Sequence, residues 1–231
     1  MIIDTHCHFD MMPNPAAFIQ QREQFGDIVI GMTNLPSYFR MGLPYVRGLK
    51  NVRLAIGLHP LRVAENKEEI YLFKKLVDET SYIGEIGLDF SREGYWLKDT
   101  QVEIFREVLS ALEGKKKIIS VHSRRAEQLV LQLLCEYKIK NVIFHWYSGP
   151  IGLISKILDC GYYFSVNEAM TLSENGRAII NKVPRDRILT ESDAPFNGVC
   201  NIKNALGRLK ITEDDIHANF SCLTSKALQI A

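Results

Sequence analysis

Eight short apolar, β-branched runs, separated by stretches with helical spacing, are what most restricts the fold open to this chain. The runs are Ile2 to Thr5, Ile28 to Thr33, Leu54 to Leu58, Ile83 to Glu85, Ile118 to His122, Val142 to His145, Tyr162 to Val166 and Ile188 to Thr190. Between them apolar residues return at helical intervals, as in Tyr71, Leu72, Leu76 and Val77, or Val102, Phe105, Val108, Leu109 and Leu112. Strands that alternate with helices form βαβ units and a parallel sheet, and eight such units predict a closed (β/α)8 barrel of the α/β class. A chain of 231 residues is long enough for that barrel. No proline-rich, glycine-serine-rich or low-complexity linker divides it, so residues 1–231 are read as one domain.

The histidines collect where strands stop. His6 and His8 end the first run, His59 follows the third, His122 ends the fifth and His145 ends the sixth. Glu85 is read as ending the fourth strand, and Glu191 and Asp193 follow the eighth. In a barrel those carboxyl-terminal ends converge on one face, where catalytic groups gather. His6 and His8 are two residues apart, so on a strand their imidazoles share a side, while Cys7 points the other way and is read as inert packing. Four imidazoles (His6, His8, His122, His145) and two carboxylates (Glu85, Asp193) suit borderline divalent ions and are too rich in nitrogen for calcium. One ion needs three or four protein ligands, so six candidates imply two ions bridged by a carboxylate.

Charge and cysteine content narrow the partners. Lys and Arg total 28 against 27 Asp and Glu, a formal charge of +1, so no global basic field exists to coat a nucleic acid. Two dications set against two carboxylates would supply a local positive excess for phosphate instead. The five cysteines are scattered, odd in number and without a C-x-x-C pair, so neither a disulfide framework nor a zinc ribbon is indicated, and a reducing cytosol suits them. The N-terminus has neither a basic segment nor a long apolar core, and no run approaches a membrane span. The expectation is a cytoplasmic protein with no membrane partner.

Six motifs in order from residue 4 to residue 195 give the chain a resemblance to the TatD-like hydrolases. Asp4-Thr-His-Cys-His8 resembles the opening D-x-H-x-H, and Gly57-Leu-His-Pro60 resembles G-[VI]-H-P. Gly84 to Asp89 is similar to G-E-x-G-L-D, and Val121 to Arg124 to the H-x-R stretch. His145 to Gly149 is similar to H-C-F-T-G, and Glu191 to Pro195 to E-T-D-x-P. The resemblance implies a (β/α)8 barrel and metal-dependent DNA hydrolysis, often from the 3′ end, on single-stranded or exposed ends. It implies that His6, His8 and Asp193 hold one divalent ion, His122 and His145 a second, and that Glu85 bridges them; zinc, manganese, cobalt or magnesium are the candidate metals. Asp193 is then the base toward a metal-activated water as well as a ligand. Phe196 to Asn201 departs from the family's usual Arg-Gly and Asn-x-Pro segment. With the Trp146-Tyr147 variation and short first helices, this resembles the compact members of Qat anti-phage defence operons, and other defence proteins are expected partners.

Residues around this set carry open alternatives. His59 contacts a phosphate or stabilises the turn before Pro60. Arg92 and Arg124 each hold a phosphate oxygen or form a solvated pair. Of Trp146 and Tyr147, stacking on bases is the functional reading and packing the other. Asp4 orients a ligand or caps the barrel bottom, and Glu191 orients a ligand or is a buried, hydrogen-bonded structural acid; both stay outside the ligand set. Lys115 to Lys117 is read as a solvated connection, and His217 as a surface residue. The competing functions are a small-molecule amidohydrolase or lactonase on the same barrel, and a low-activity binding subunit of a defence complex.

Overall fold

The computed structural model describes residues 1–196 and 201–228. Eight parallel strands alternate with helices: β1 Ile3–Cys7, β2 Ile28–Met32, β3 Val52–Ala55, β4 Tyr82–Gly87, β5 Ile118–His122, β6 Val142–His145, β7 Tyr163–Val166 and β8 Ile188–Thr190. The first five helices are α1 Pro15–Phe25, α2 Pro36–Val46, α3 Glu69–Leu76, α4 Lys98–Leu112 and α5 Glu127–Glu136. They are followed by α6 Ile154–Asp159, α7 Glu168–Leu172, α8 Glu174–Ile180, α9 Ile202–Leu209 and α10 Glu213–Leu228.

The strands pair in chain order as β1-β2-β3 and β4-β5-β6-β7-β8. Two seams close them into the (β/α)8 barrel. At one, Ile56 N donates to Tyr82 O (3.2 Å) and Gly84 N to Ile56 O (3.1 Å). At the other, Thr5 Oγ1 donates to Thr190 O at 3.0 Å, and just beyond the strands Asp193 N donates to His6 O at 2.9 Å. Both faces of the sheet are covered, which explains the near-continuous apolar runs.

Helix signals in the sequence act locally as physics requires. Asn14 caps α1 by accepting Ala17 N at 3.1 Å, Pro15 occupies the first turn where its missing N–H costs nothing, and Gly26 ends the helix at φ 72°. On α4 the buried residues Ile104, Phe105, Val108, Leu109 and Leu112 form one stripe against the sheet. Truncating Phe105 to alanine there would cost about 3–5 kcal/mol. Among the described residues no helix is long and apolar enough to cross a membrane.

Two expectations are displaced. The third strand begins earlier than the Leu54 to Leu58 run, at Val52, and beyond Ala55 only Ile56 bridges to Ile83. Glu85 does not end the fourth strand, which runs on to Gly87. The register gives the reason: between Ile83 and Ile86, β4 spends three steps against two on β5, from Ile119 to Val121. One extra residue bulges the strand at Glu85 and re-aims its side chain.

Candidate metal centre

Close backbone approach sets the geometry of the barrel mouth. A Cβ on Gly57 would lie 1.9 Å from Thr33 O and 2.4 Å from Glu85 N, so only glycine lets the segment after β3 pass against the bulge. A Cβ on Gly87, at φ 134°, would likewise lie 1.9 Å from His122 O. These two contacts bring His59, Glu85 and His122 into one cluster. β1 carries its own register shift between Asp4 and Cys7. Beyond it His6 and His8 both face the mouth, while the Cys7 thiol is fully buried in the core.

Glu85 stands at the centre, 3% exposed. Its Oε2 lies 3.3 Å from His8 Nε2 and 3.9 Å from His6 Nε2, and Asp193 Oδ1 is 3.6 Å from both of those nitrogens. Its Oε1 faces the other way, 2.8 Å from His122 Nδ1, 3.2 Å from His145 Nε2 and 3.4 Å from His59 Nε2. Each oxygen of one carboxylate thus borders a separate nest of imidazole nitrogens. Three sets of donor atoms are close enough to hold a cation: His6, His8 and Asp193; His6, Glu85 and His145; His59, Glu85 and His122. All six sequence-nominated ligands are brought together. His145 also borders the first group, its ring stacked on His6 with centroids 3.9 Å apart.

The outer partners decide which nitrogens can bind an ion. His6 Nδ1 lies 2.7 Å from Ser120 Oγ; donating a proton there leaves the Nε2 lone pair facing Asp193 and Glu85. His122 Nε2 lies 2.8 Å from Asp89 Oδ2, which accepts its proton and leaves Nδ1 against Glu85. A bare lone pair 2.8 Å from a carboxylate oxygen is repulsive, so that contact calls for either a second proton or a cation. The His6–His8 contact, Nε2 to Nε2 at 3.2 Å, is met by a neutral His8 donating from Nε2 or by a cation between the two lone pairs. His8 Nδ1 and His145 Nδ1 are buried without a hydrogen-bond partner. These are the marks of a donor set that fits divalent cations. His59 differs: its Nδ1 accepts Leu61 N at 3.1 Å, so the neutral ring carries its proton on Nε2 and presents a donor. Geometry places it in a cluster; its tautomer turns an Nε2–H donor toward Glu85 Oε1, 3.4 Å away.

Protonation follows from burial and from these pairs. Burial works against charge on Glu85, yet His59, His122 and His145 together hold its carboxyl well below the usual range. Burial also opposes charge on His122, but hydrogen bonds to Asp89 and Glu85 raise it to about 9. Asp193 is pushed up to about 7, first by burial and then by the Glu85 charge. Burial holds the His6 and His145 rings neutral, as metal ligands must be. The metal-free chain is therefore expected to lose stability as pH rises from 6.5 to 9. His122 is raised in the folded state, so its contribution is complete below 6.5 and lost through 9. Thermal melts of chelated protein at pH 6.5 and 9 check this; a higher melting temperature at pH 9 contradicts it.

A cavity of about 820 Å³ opens over the cluster. His59, Arg124 and Trp146 line it, as do Arg62 and Asn34, which sequence reasoning missed. Arg92 is exposed and does not line it. Trp146 is half-buried, whereas Tyr147 is 1% exposed and donates to Pro150 O at 2.8 Å, so packing claims the tyrosine. Phe196 reaches the rim, its ring 5.0 Å from His8; Asn197 to Cys200 of the altered segment lie outside the described residues. Asp4 Oδ1 accepts Ser192 N at 2.9 Å and His6 N at 3.3 Å, tying the two ligand-bearing segments together at the mouth. Glu191 is fully buried and accepts Asn167 Nδ2 at 3.0 Å and Ser165 Oγ. Lys117 is not solvated as expected: it is 9% exposed and donates to Thr80 O at 2.7 Å. His217 is half-exposed, with Nε2 3.4 Å from Met1 O. Asp89 and Ser120 are the orienting residues that no motif role had marked.

A parallel barrel with this many imidazoles and carboxylates at its carboxyl-terminal mouth defines a metal-dependent hydrolase. The chain belongs to the TatD family: the family model described as TatD related DNase matches residues 3–210. It is similar to the uncharacterised metal-dependent hydrolase MJ1582 of Methanocaldococcus jannaschii, 27% identical over 225 residues, covering 93% of this chain and 87% of the relative. Among solved structures, the TatD homologue YjjV of Escherichia coli superposes with a TM-score of 0.80 at 22% identity, covering 98% and 97% of the two chains. A TatD family hydrolase from Entamoeba histolytica gives 0.71 at 19% identity, covering 100% and 92%.

Proposed function

We propose that the protein hydrolyses phosphodiester bonds of DNA, acting on single strands or exposed 3′ ends, with two divalent cations held on either side of Glu85. The observation that carries this reading is the Glu85 carboxylate, whose two oxygens border two separate imidazole nests. His6, His8 and Asp193 form one binding set, and His122 and His145 the other, with Glu85 shared. Bound there, the cations supply Lewis acidity and a readily deprotonated water.

The chain's own residues do the rest. Asp193, whose carboxylate faces His6 and His8 at the mouth, accepts the proton of the attacking water. His59 donates its Nε2–H to a phosphate oxygen, and Arg124 and Arg62 at the cavity wall add charge for the neighbouring backbone. Trp146 offers a face for a base. Asp89 and Ser120 hold His122 and His6 in the tautomers that binding requires. DNA as substrate rests on the family's DNase description. A defence setting with partner proteins rests on the compact chain's likeness to Qat-operon members. Residues 1–231 act as one unit in this reading.

The test is digestion of 3′-labelled single-stranded DNA with and without a chelator. Activity is expected to vanish on metal removal and to return with added divalent ion. Cleavage that persists without metal overturns the mechanism. Hydrolysis of lactones or amides in a parallel panel, with DNA untouched, moves the protein to the small-molecule reading. Failure on both classes favours the binding subunit.

A further inference from the structure

Cys135 lies in the last turn of α5, and Cys160 caps α6; 25 positions apart in sequence, they face each other with sulfurs 3.4 Å apart. Both are exposed, and both are free thiols. Their backbones are fixed from both sides. The Tyr162 hydroxyl, buried beside the pair, donates to Ile139 O at 2.8 Å, joining the turn after α5 to the segment after α6. Cys160 N is held by Lys156 O at 3.4 Å. Two thiols at this separation on the outer layer have no role in the barrel mouth. Exposure admits an oxidant, and the short gap allows closure with little backbone movement.

We infer that Cys135 and Cys160 form an oxidation site: a surface dithiol that peroxide-class oxidants convert to an intramolecular disulfide clamping α5 to α6. Both sulfurs are open to solvent, so whichever thiol ionises first meets the oxidant. That thiol gives up its proton, the thiolate attacks one peroxide oxygen, the O–O bond breaks, and the hydroxide that leaves takes the proton back, giving sulfenic acid and water. The second sulfur then attacks the sulfenic sulfur; an S–S bond forms, the S–O bond breaks, and a second water leaves with the second thiol's proton. Two thiols and one peroxide thus give one disulfide and two waters. The helices joined are those that follow β5 and β6, the strands ending in His122 and His145.

The experiment treats the full-length protein with a modest excess of hydrogen peroxide and maps it without reduction. The expected product is monomeric, about 2 Da lighter than the reduced chain, with a peptide pair joining Cys135 to Cys160. Its melting temperature should rise by roughly 5–10 °C, because the link shortens the unfolded chain's loop, and dithiothreitol should reverse the rise. Cys135→Ser and Cys160→Ser should each abolish both changes. Mass gains of about 16 or 32 Da on separate thiols, intermolecular dimers, or a link through another cysteine would overturn the assignment.

Discussion

Replacing Asp193 with asparagine is expected to lower kcat on DNA by about 10³-fold or more while leaving the barrel folded. The amide keeps the shape of the carboxylate, and the backbone bond from Asp193 N to His6 O is untouched. What disappears is the negative charge 3.6 Å from His6 and His8 Nε2, and with it the proposed ligand and proton acceptor. Stability separates this role from a structural one. In the metal-free chain the Asp193 carboxyl is raised to about 7, so its charged form is disfavoured by folding above that pH. The asparagine variant should therefore melt at the same temperature as the chelated wild type at pH 8, or higher. Added divalent ion should raise its melting temperature less than it raises the parent's, since less is bound. Unchanged turnover with an intact ion complement would remove Asp193 from the centre.

What the sequence revealed, and what it hid, follows from the range of the forces involved. The eight strands are legible because each is buried on both faces by local apolar runs, and their order follows from parallel pairing. His6 and His8 are legible because two-residue spacing on a strand fixes a shared side. Glu85 was misplaced by two residues, since a bulge arises from the mismatch of β4 against β5, and no single-strand pattern encodes it. Asp89 and Ser120 were missed as orienting residues because each acts on an imidazole carried by another strand or reached from one, 33 and 114 positions away. Lys117 looked solvated in a run of three lysines; only the fold shows that its ammonium has a carbonyl to meet at Thr80. The cysteines looked scattered because helix ends adjacent in a barrel are far apart along the chain.

Glu85→Gln should have the broader effect, because the two oxygens of this side chain border both nests. Glutamine keeps one acceptor oxygen and replaces the other with an NH2 that cannot ligate a cation. Either the Oε1 side, facing His122 and His145, or the Oε2 side, facing His6 and His8, then presents a donor. Metal content measured on the purified variant should fall from the proposed two ions per chain to one or none, and turnover by on the order of 10³-fold or more. The same substitution removes the carboxylate that helps raise His122 to about 9. Its ring should titrate lower by NMR in the metal-free variant, with Asp89 as its one remaining carboxylate partner, and the stability loss between pH 6.5 and 9 should flatten. The two readouts separate the possible roles. A buried acid that only paired with histidines would change the His122 titration and leave two ions and full turnover, whereas a bridge must lose ions and activity together.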